Sequence, residues 1–540
     1  MKKFFAVTFS FFIITQFVIS QSVYLNADHP IYKFLDKMEA KHFIIDYRDE
    51  VKPITRENIA KFIMQIDSSF NKLTSVERDE LVYYKEEFFQ ELKHLNYDLL
   101  LEERFHVYEY HSEPTSILLD FEGLLGYRQY ADGRYVRYRK NGIHFYGNVG
   151  TSVGFDFDFH DNHDEGTYLD GARTLTSDPA QPVFRRQKNF IEYSPADVQL
   201  TYEYSIFTLS VEKLHNVWGN GENGNLILST KAPSFPQIKL QAQLSKDFTF
   251  TYIHGWLYSG IVDSARSLQN ATLGGSLGYH PIYRQKYIAS HMLEMTPFYG
   301  VDIAVGESEV YGGRNPELLY LIPVMFFKAG EWWGMDSDNS QIFASVDLNI
   351  IPKYNWYFST FIDELAAADI FTPAKTRNQL GFTVGTNMYD LGIENTRLNI
   401  EYTRINPWVY NHRFSEDTYQ SHSIDLGHWI GQNAELFSAG YYFQPLYNLK
   451  FGLKFQNVVK GGKDSTLYQY TTNNSPRPFL YGPNTKLQSF GIEGTYEPLR
   501  DIVFEFHFFK NNYSSQNALL GADYSGKYDF LLNVRYNIWE

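Results

Sequence analysis

The feature that most constrains the fold of this chain is a regular alternation of apolar and polar residues, clearest in residues 528–540. The apolar or aromatic positions are Tyr528, Phe530, Leu532, Val534, Tyr536 and Ile538. The polar positions between them are Asp529, Asn533, Arg535 and Asn537, and only Leu531 and Trp539 break the pattern. Because a period of two places successive side chains on opposite faces of a strand, this segment predicts a β-strand that is apolar on one face. Such a strand is typical of the closing strand of an outer-membrane β-barrel, with the apolar set facing lipid and the polar set facing the lumen.

The same alternation runs back to about Ser116 and defines the fold class. One face includes Phe145, Val149, Val153, Phe155, Phe157 and Phe159, and the other includes His144, Asn148, Ser152, Asp156, Asp158 and His160. A soluble β-sandwich also alternates, but it buries an apolar core between its sheets, whereas the second face here is polar over many strands. About 425 residues of strand pattern also exceed a typical soluble all-β domain. We therefore predict a mainly β protein, a transmembrane antiparallel β-barrel in residues 113–540.

The spacing of the strand patterns bounds the number of strands and places the loops. At roughly 20 to 25 residues per strand and connection, the region can hold about 16 to 20 strands, and an even number is usual. Long polar segments lie near residues 161–190, 411–434 and 459–486. Because outer-membrane barrels have long loops outside the cell and short turns in the periplasm, we predict that these segments are extracellular loops.

The region before the barrel divides into an export signal and a helical part. Residues 1–20 combine two lysines, an apolar run and a terminal serine, which predicts a secretory signal peptide and export to the outer membrane. Residues 21–112 contain three stretches with helical periodicity. These stretches are 31–38, 59–70 behind the candidate N-cap Thr55, and 75–95 with a candidate capping box of Thr74 and Glu77. We predict that residues 21–112 form a small helical bundle.

Composition excludes several kinds of partner and cofactor. The chain has no cysteine, so it forms neither disulfides nor thiolate metal sites. Its net charge of −15 argues against nucleic acid, which calls for a basic face. The acidic run from Asp156 to Glu165 could hold a hard cation, but a solvated strand end is the simpler interpretation. We expect no cofactor and no metal.

Sequence patterns that resemble catalytic motifs do not occur in the required context. Residues 219–224 match a dinucleotide-binding pattern, yet a strand-like run follows where a helix is needed. Residues 150–154 and 274–278 match the pattern of a hydrolase nucleophile, but both lie in glycine-spaced strand pattern. We therefore predict that the protein is not an enzyme.

Four blocks of residues in the range 218–434 together resemble the Wzi family of capsule assembly proteins. The first contains Trp218–Gly221, Leu226–Ser229 and Ala232–Pro236, and the second contains Ser290–Glu294, Gly306–Glu307, Tyr311–Arg314 and Tyr320–Pro323. The third contains Asp338, Asn339 and Asp347, and the fourth contains Tyr410–His412, Leu426–His428 and Gly431–Ala434. The resemblance implies a barrel of 18 strands with a periplasmic-side helical region. It also implies a lectin-like role in holding capsular polysaccharide or exopolysaccharide at the cell surface.

Candidate sugar-binding residues combine aromatic faces with polar groups. They are Trp218, Asn220, Asn223, Tyr311, Arg314, Trp408, Tyr410 and His412. Two other interpretations apply to them, because tryptophan and tyrosine also form the interfacial girdles of barrels and Gly-Asn runs also form turns. Expected partners are the lipid or lipopolysaccharide of the outer membrane and a surface polysaccharide, and we expect a monomer.

Two other functions remain as alternatives. The protein could be an outer-membrane porin or uptake channel for small solutes or lipids, or an outer-membrane hydrolase. The helical region discriminates between binding and transport, because a region that blocks the lumen prevents free diffusion. The hydrolase alternative lacks a recognisable set of catalytic residues.

Overall fold

The computed structural model describes residues 23–267, 281–335, 337–365, 378–463, 477–516 and 523–538. The predicted signal peptide, residues 1–20, and Trp539 lie outside these ranges.

Eighteen antiparallel strands close into a barrel, in which the last strand pairs with the first. The strands are β1 Thr115–Gln129, β2 Tyr135–Val149, β3 Val153–Gly166, β4 Ala196–Tyr204, β5 Phe207–Leu214, β6 Phe235–Ser245, β7 Phe248–Val262, β8 Tyr283–Phe298, β9 Val301–Gly312, β10 Asn339–Ile351, β11 Tyr354–Glu364, β12 Gln379–Tyr389, β13 Thr396–Ile405, β14 Ala434–Leu446, β15 Leu449–Lys460, β16 Thr485–Leu499, β17 Ile502–Ser515 and β18 Tyr524–Tyr536. The predicted fold class and strand number are confirmed.

The two ends of the barrel differ in the length of their connections. At the short-turn end, strands are joined by turns such as 205–206, 246–247 and 352–353. At the long-connection end, the predicted loops coincide with the connections 167–195, 406–433 and 461–484, of which residues 464–476 lie outside the described ranges. The long connections 215–234 and 313–338 were not predicted, because their apolar residues resemble strands.

Within β18, the side chains at Leu532 and Asp529 lie on the faces that the sequence alternation predicts. After the strand ends, the prediction fails. Leu532 is 44% exposed on the outer face, and Asp529 is 6% exposed and paired with Arg128 inside the barrel. The prediction that Ile538 faces lipid is wrong, since this residue is only 2% exposed. Asn537 has a φ of 55°, so the backbone leaves the extended conformation there and the alternation ends.

The N-terminal region contains the predicted helices: α1 Ile31–Ala40, α2 Arg56–Asp67, α3 Ser75–Glu87 and α4 Phe89–His94. Thr55 caps α2 by accepting a hydrogen bond from the Asn58 N–H, and Thr74 and Glu77 form the predicted capping box of α3. The third predicted helix is divided in two at Phe88. In the part of the chain that the structure describes, no helix is long and apolar enough to cross a membrane.

The helical region packs against the short-turn end of the barrel. Lys41 forms an ion pair with Asp390 in the β12–β13 turn at 2.8 Å. Arg500, in the β16–β17 turn, pairs with Glu86 of α3 at 2.6 Å. A short strand, Tyr108–Ser112, then pairs with the first half of β1, while β18 pairs with the second half from Gly123 onward. Strand pairing with the barrel therefore begins somewhat before the predicted boundary at residue 113.

Candidate functional site

The connection between β5 and β6, residues 215–234, folds into the lumen, and we call it the inner loop. Residues 217–218 pair with residues 51–52 of the helical region in a two-stranded sheet. The Trp218 side chain is fully buried, and its ring lies 5.9 Å from that of Phe343 on the inner wall of β10. The inner loop therefore joins the helical region to the far wall of the barrel.

A network of charges fixes the middle of the inner loop. The backbone N–H groups of Glu222 and Asn223 donate to the two carboxylate oxygens of Glu401, on β13, at 2.6 and 3.1 Å. The Glu222 carboxylate lies 3.0 Å from Arg397 of β13 and 2.5 Å from Lys33 of α1. Burial alone would raise the pKa of Glu222, but these two cations hold it well below its usual range. Glu222 thus stays ionised and connects three parts of the fold.

The connection between β13 and β14, residues 406–433, covers the inner loop, and we call it the capping loop. The Tyr410 hydroxyl donates to the carbonyl of Leu226 at 2.7 Å, and the Tyr419 hydroxyl donates to the carbonyl of Ile227 at 2.9 Å. Both tyrosines are fully buried. These hydrogen bonds satisfy inner-loop carbonyls that would otherwise be buried without partners.

The structure places the eight predicted sugar-binding residues in three parts of the fold. The inner loop holds Trp218, Asn220 and Asn223, and the capping loop holds Trp408, Tyr410 and His412. Tyr311 lies on the outer face of β9, and Arg314 follows it in an ion pair with Asp338 at 2.7 Å. Trp218, Tyr311 and Tyr410 are fully buried, and Trp408 is 3% exposed. These aromatic rings hold loops in place, and sugar contact by the eight residues stays a prediction.

A cavity of about 890 Å³ remains open beside the two loops, and we call it the lumen cavity. Its walls are the inner faces of β1, β2 and β15–β18 together with part of the β3–β4 connection. The aromatic residues that line it are Tyr130, Tyr138, Tyr168, Tyr193, Trp429, Phe509, Tyr513 and Tyr524. Volumes of about 300–1,000 Å³ are typical of ligand sites.

The aromatic residues near the mouth of the lumen cavity are held by cations and by each other. The rings of Tyr130 and Tyr168 lie 4.4 Å apart, and the Tyr138 hydroxyl lies 3.5 Å from that of Tyr130. Arg128 lies over Tyr130 at 4.8 Å, and Arg134 lies over Tyr168 at 4.0 Å. Cation–π contacts of this kind orient a ring while leaving part of it exposed. The result is a set of fixed aromatic faces beside hydrogen-bonding side chains.

Sequence reasoning did not find the lumen cavity. Tyr138 is in the lumen phase of β2, and His507 is in the lumen phase of β17, so alternation gives their side of the wall. Alternation does not give which part of the lumen the inward-folded loops leave open, because that depends on contacts distant in sequence.

One set of side chains in the described residues has the spacing of a metal site within the barrel. Ligand atoms of Glu122, Asp158 and His160 lie within 4.8 Å of one another. A hydrogen bond of 2.5 Å between His160 and Glu122 occupies part of this group. Carboxylate and imidazole ligands of this kind suit several divalent cations.

The motif-like sequences occur in settings unsuited to catalysis. Residues 219–224 lie in the inner loop, with no helix after the glycines, and residues 150–154 span the turn between β2 and β3. Residues 274–278 lie outside the described ranges.

Comparison with solved structures shows the same architecture in another protein. Wzi, an outer-membrane protein involved in group 1 capsule assembly in Escherichia coli and described as a carbohydrate-binding β-barrel, superposes with a TM-score of 0.58. The two share 10% identity, and the match covers 96% of this chain and 100% of that one. OccAB2 of Acinetobacter baumannii matches with a TM-score of 0.42 at 12% identity, over 78% of this chain and 98% of its own. OprD of Pseudomonas aeruginosa matches with a TM-score of 0.41 at 13% identity, over 78% and 92%. These last two similarities are too weak to support an argument.

Sequence comparison gives the family. No curated protein sequence matches the chain. The family described as capsule assembly protein Wzi matches residues 200–506, more than half of the 540 residues, from β4 into β17. The chain therefore belongs to the Wzi capsule assembly family and is a β-barrel of the Gram-negative outer membrane.

Proposed function

We propose that the protein binds a surface polysaccharide in the lumen cavity and holds it at the cell, without converting it chemically. The observation that carries this proposal is the group of aromatic faces at the mouth of the cavity. Tyr130 and Tyr168 are half-buried there, with Arg128 and Arg134 beside them. A pyranose ring has apolar C–H faces and a polar rim, so it fits a site that offers aromatic faces next to charged and polar groups.

The two loops that fold into the lumen favour binding over transport. The inner loop reaches from β5 to the wall at β13 and contacts α1, and the capping loop lies over it. With the helical region below, a polymer that enters the lumen cavity meets protein on the way to the short-turn end. This arrangement supports the proposal that the helical region and the inner loop together act as a plug on the periplasmic side.

The proposal is tested by binding of the polysaccharide purified from the same organism to the detergent-solubilised barrel. Tyr168→Ala removes an aromatic face in a connection, away from the strand pairings, so the barrel is expected to assemble normally. Loss of one aromatic contact residue typically costs about 2 kcal/mol, so the affinity should fall about 30-fold.

Tyr204→Ala is the matched control, because Tyr204 is 60% exposed at the short-turn end of β4. The control should bind with the affinity of the unchanged protein. Equal affinity of Tyr168→Ala would place the sugar elsewhere. Failure of the unchanged protein to bind any surface polymer of the organism would overturn the lectin-like function itself.

The roles of the residues selected from the sequence follow from their burial. Trp218 and Tyr410 should act as positioning residues for the loops. Arg314, whose side chain is 33% exposed, is accessible enough to touch a ligand at the long-connection end, and the His412 side chain is only 10% exposed. We also propose that lipopolysaccharide or lipid of the outer membrane surrounds a single copy of the barrel.

A further inference from the structure

The outer face of β8 and β9 carries ionisable residues beside the apolar outer face of β10. His291 of β8 lies opposite Glu307 of β9, with their side chains 3.3 Å apart. Glu307 faces outward, because it lies opposite Ile342 of β10, which is 44% exposed, and alternates with inward residues. Glu309, on the same face, is fully buried, and Glu307 is 5% exposed. Something other than lipid therefore covers this part of the outer wall.

The cover is the β9–β10 connection, residues 313–338, which we call the flap. Its residue Phe327 donates a backbone hydrogen bond to the Glu307 carboxylate at 2.7 Å. Its residue Tyr320 accepts a hydrogen bond at 2.7 Å on its carbonyl oxygen from the hydroxyl of Tyr252, on the outer face of β7. Tyr320 and Phe327 pack in one buried cluster with Tyr252 and Tyr311. The flap therefore folds back over the outside of the wall.

The flap extends well down the outer wall. Glu307 lies five positions before Gly312, where β9 ends. At about 3.3 Å per residue this is about 17 Å along the strand. With a strand tilt of about 40°, the contact lies about 13 Å below the strand end, and the apolar band of such barrels is about 25 Å tall. The contact with Phe327 is thus at a level where Ile342, next to Glu307, is exposed to the surroundings.

The surface of the flap that faces away from the barrel is apolar. Leu318 is 75% exposed, Val324 78%, Trp333 84% and Met335 89%. The same surface includes Leu321, Ile322, Phe326 and Trp332. A patch of this kind on a water-facing loop would be unusual for a monomeric protein. The wall beside Glu307 is apolar as well, because Ile342 opposite it is 44% exposed and Val305 on the same face of β9 is 42% exposed.

We propose that the flap lies in the outer leaflet of the membrane, with its apolar surface against the acyl chains. Its other surface covers Glu307, Glu309 and His291 and keeps them out of the hydrocarbon. Ionisable groups in contact with lipid are costly, so a barrel with these residues on its outer wall needs such a cover. The occupant of the apolar surface is the acyl-chain layer, because the flap is bound to the outer wall at Glu307, directly beside Val305 and Ile342, which the barrel presents to lipid.

The proposal is tested by depth-dependent quenching, which the cysteine-free chain makes simple. Single cysteines are introduced as Trp333→Cys or Val324→Cys, labelled with a fluorophore, and reconstituted in phosphatidylcholine vesicles with or without a nitroxide-labelled acyl chain. Two positions are used so that a folding defect at one does not remove the test. Ile342→Cys on the outer wall is the lipid control, and Arg266→Cys, whose native side chain is 67% exposed in the β7–β8 connection, is the water control.

Quenching at residues 333 and 324 should reach at least half of that at residue 342 and exceed that at residue 266 several-fold. Quenching no greater than at residue 266 would overturn the proposal. Cross-linking of Trp333→Cys into homodimers with loss of lipid quenching would also overturn it, because the apolar surface would then face a second copy.

Discussion

Replacing Glu222 by glutamine should loosen the inner loop while leaving the barrel wall intact. Glu222 is the one acidic side chain that contacts both the helical region, through Lys33, and the wall, through Arg397, among the inner-loop residues that the structure describes. Glutamine keeps the size and one acceptor oxygen but removes the charge. The substitution therefore tests whether this charge holds the loop across the lumen.

The two ion pairs contribute unequally. Lys33 is 56% exposed, and exposed pairs of this type are worth about 0–1 kcal/mol. Arg397 is 18% exposed and Glu222 12%, so their pair is mostly shielded from water. Removal of one partner of a buried pair costs about 3–5 kcal/mol. Because glutamine retains a hydrogen bond to the guanidinium, we expect a loss near the lower end, about 3 kcal/mol.

The assay is hydrogen–deuterium exchange of peptides that cover residues 217–229, at pH 7.5 in detergent. Local opening that becomes about 3 kcal/mol easier should accelerate exchange about 100-fold, since 1.4 kcal/mol is a factor of ten. Glu317→Gln is the matched control, because its pair with Arg314 is 33% and 44% exposed and should shift exchange less than about threefold. Inner-loop exchange in Glu222→Gln that stays within threefold of the unchanged protein would refute the reasoning.

Three further predictions concern docking, assembly and conductance. Burial alone would raise the pKa of both Glu80 and Glu87. Lys37 and Lys450 instead lower the pKa of Glu80 to about 2, and Arg104 and Arg500 lower the pKa of Glu87 to about 2. Docking of the helical region should therefore be at full strength above about pH 4.5 and weaken as the pH falls to about 2, which exchange in α3 would detect; unchanged exchange, corrected for intrinsic rates, would contradict it. Leu532→Arg, on the lipid face of β18, should cost about 2–4 kcal/mol and reduce the folded, heat-modifiable form in gels; normal assembly would count against the assigned face. The unchanged protein should show no stable open conductance in planar bilayers, and a steady current would favour the channel alternative.

The wall of the barrel was predictable because the face of each strand residue depends on its neighbours in the sequence. Leu532 and Asp529 alternate as any half-buried strand does, and the structure places them on the expected faces. The same holds for the capping box of Thr74 and Glu77, which depends on residues three apart. The rule failed at Ile538, where one residue with positive φ ended the strand.

The interior was not predictable because its packing depends on contacts between residues that are distant in the sequence. Trp218 and Tyr410 look like exposed binding residues in the sequence, yet each is fully buried through contacts with segments more than a hundred residues away. Tyr168 lies within the predicted loop near residues 161–190, and only the folded connection brings its ring to within 4.4 Å of that of Tyr130. Long-range packing decides which aromatic side chains remain accessible, and no periodic pattern records it.

The short strand Tyr108–Ser112 has a consequence for how the helical region can move. It occupies the edge of the first half of β1, so β18 can close the barrel only along the second half, from Gly123 to Gln129. Backbone hydrogen bonds thus attach the helical region to the barrel wall beside the pairing of β1 with β18. The helical region therefore cannot leave the barrel as a separate body, and any movement of this region must be a rotation about the point where residues 108–112 pair with β1.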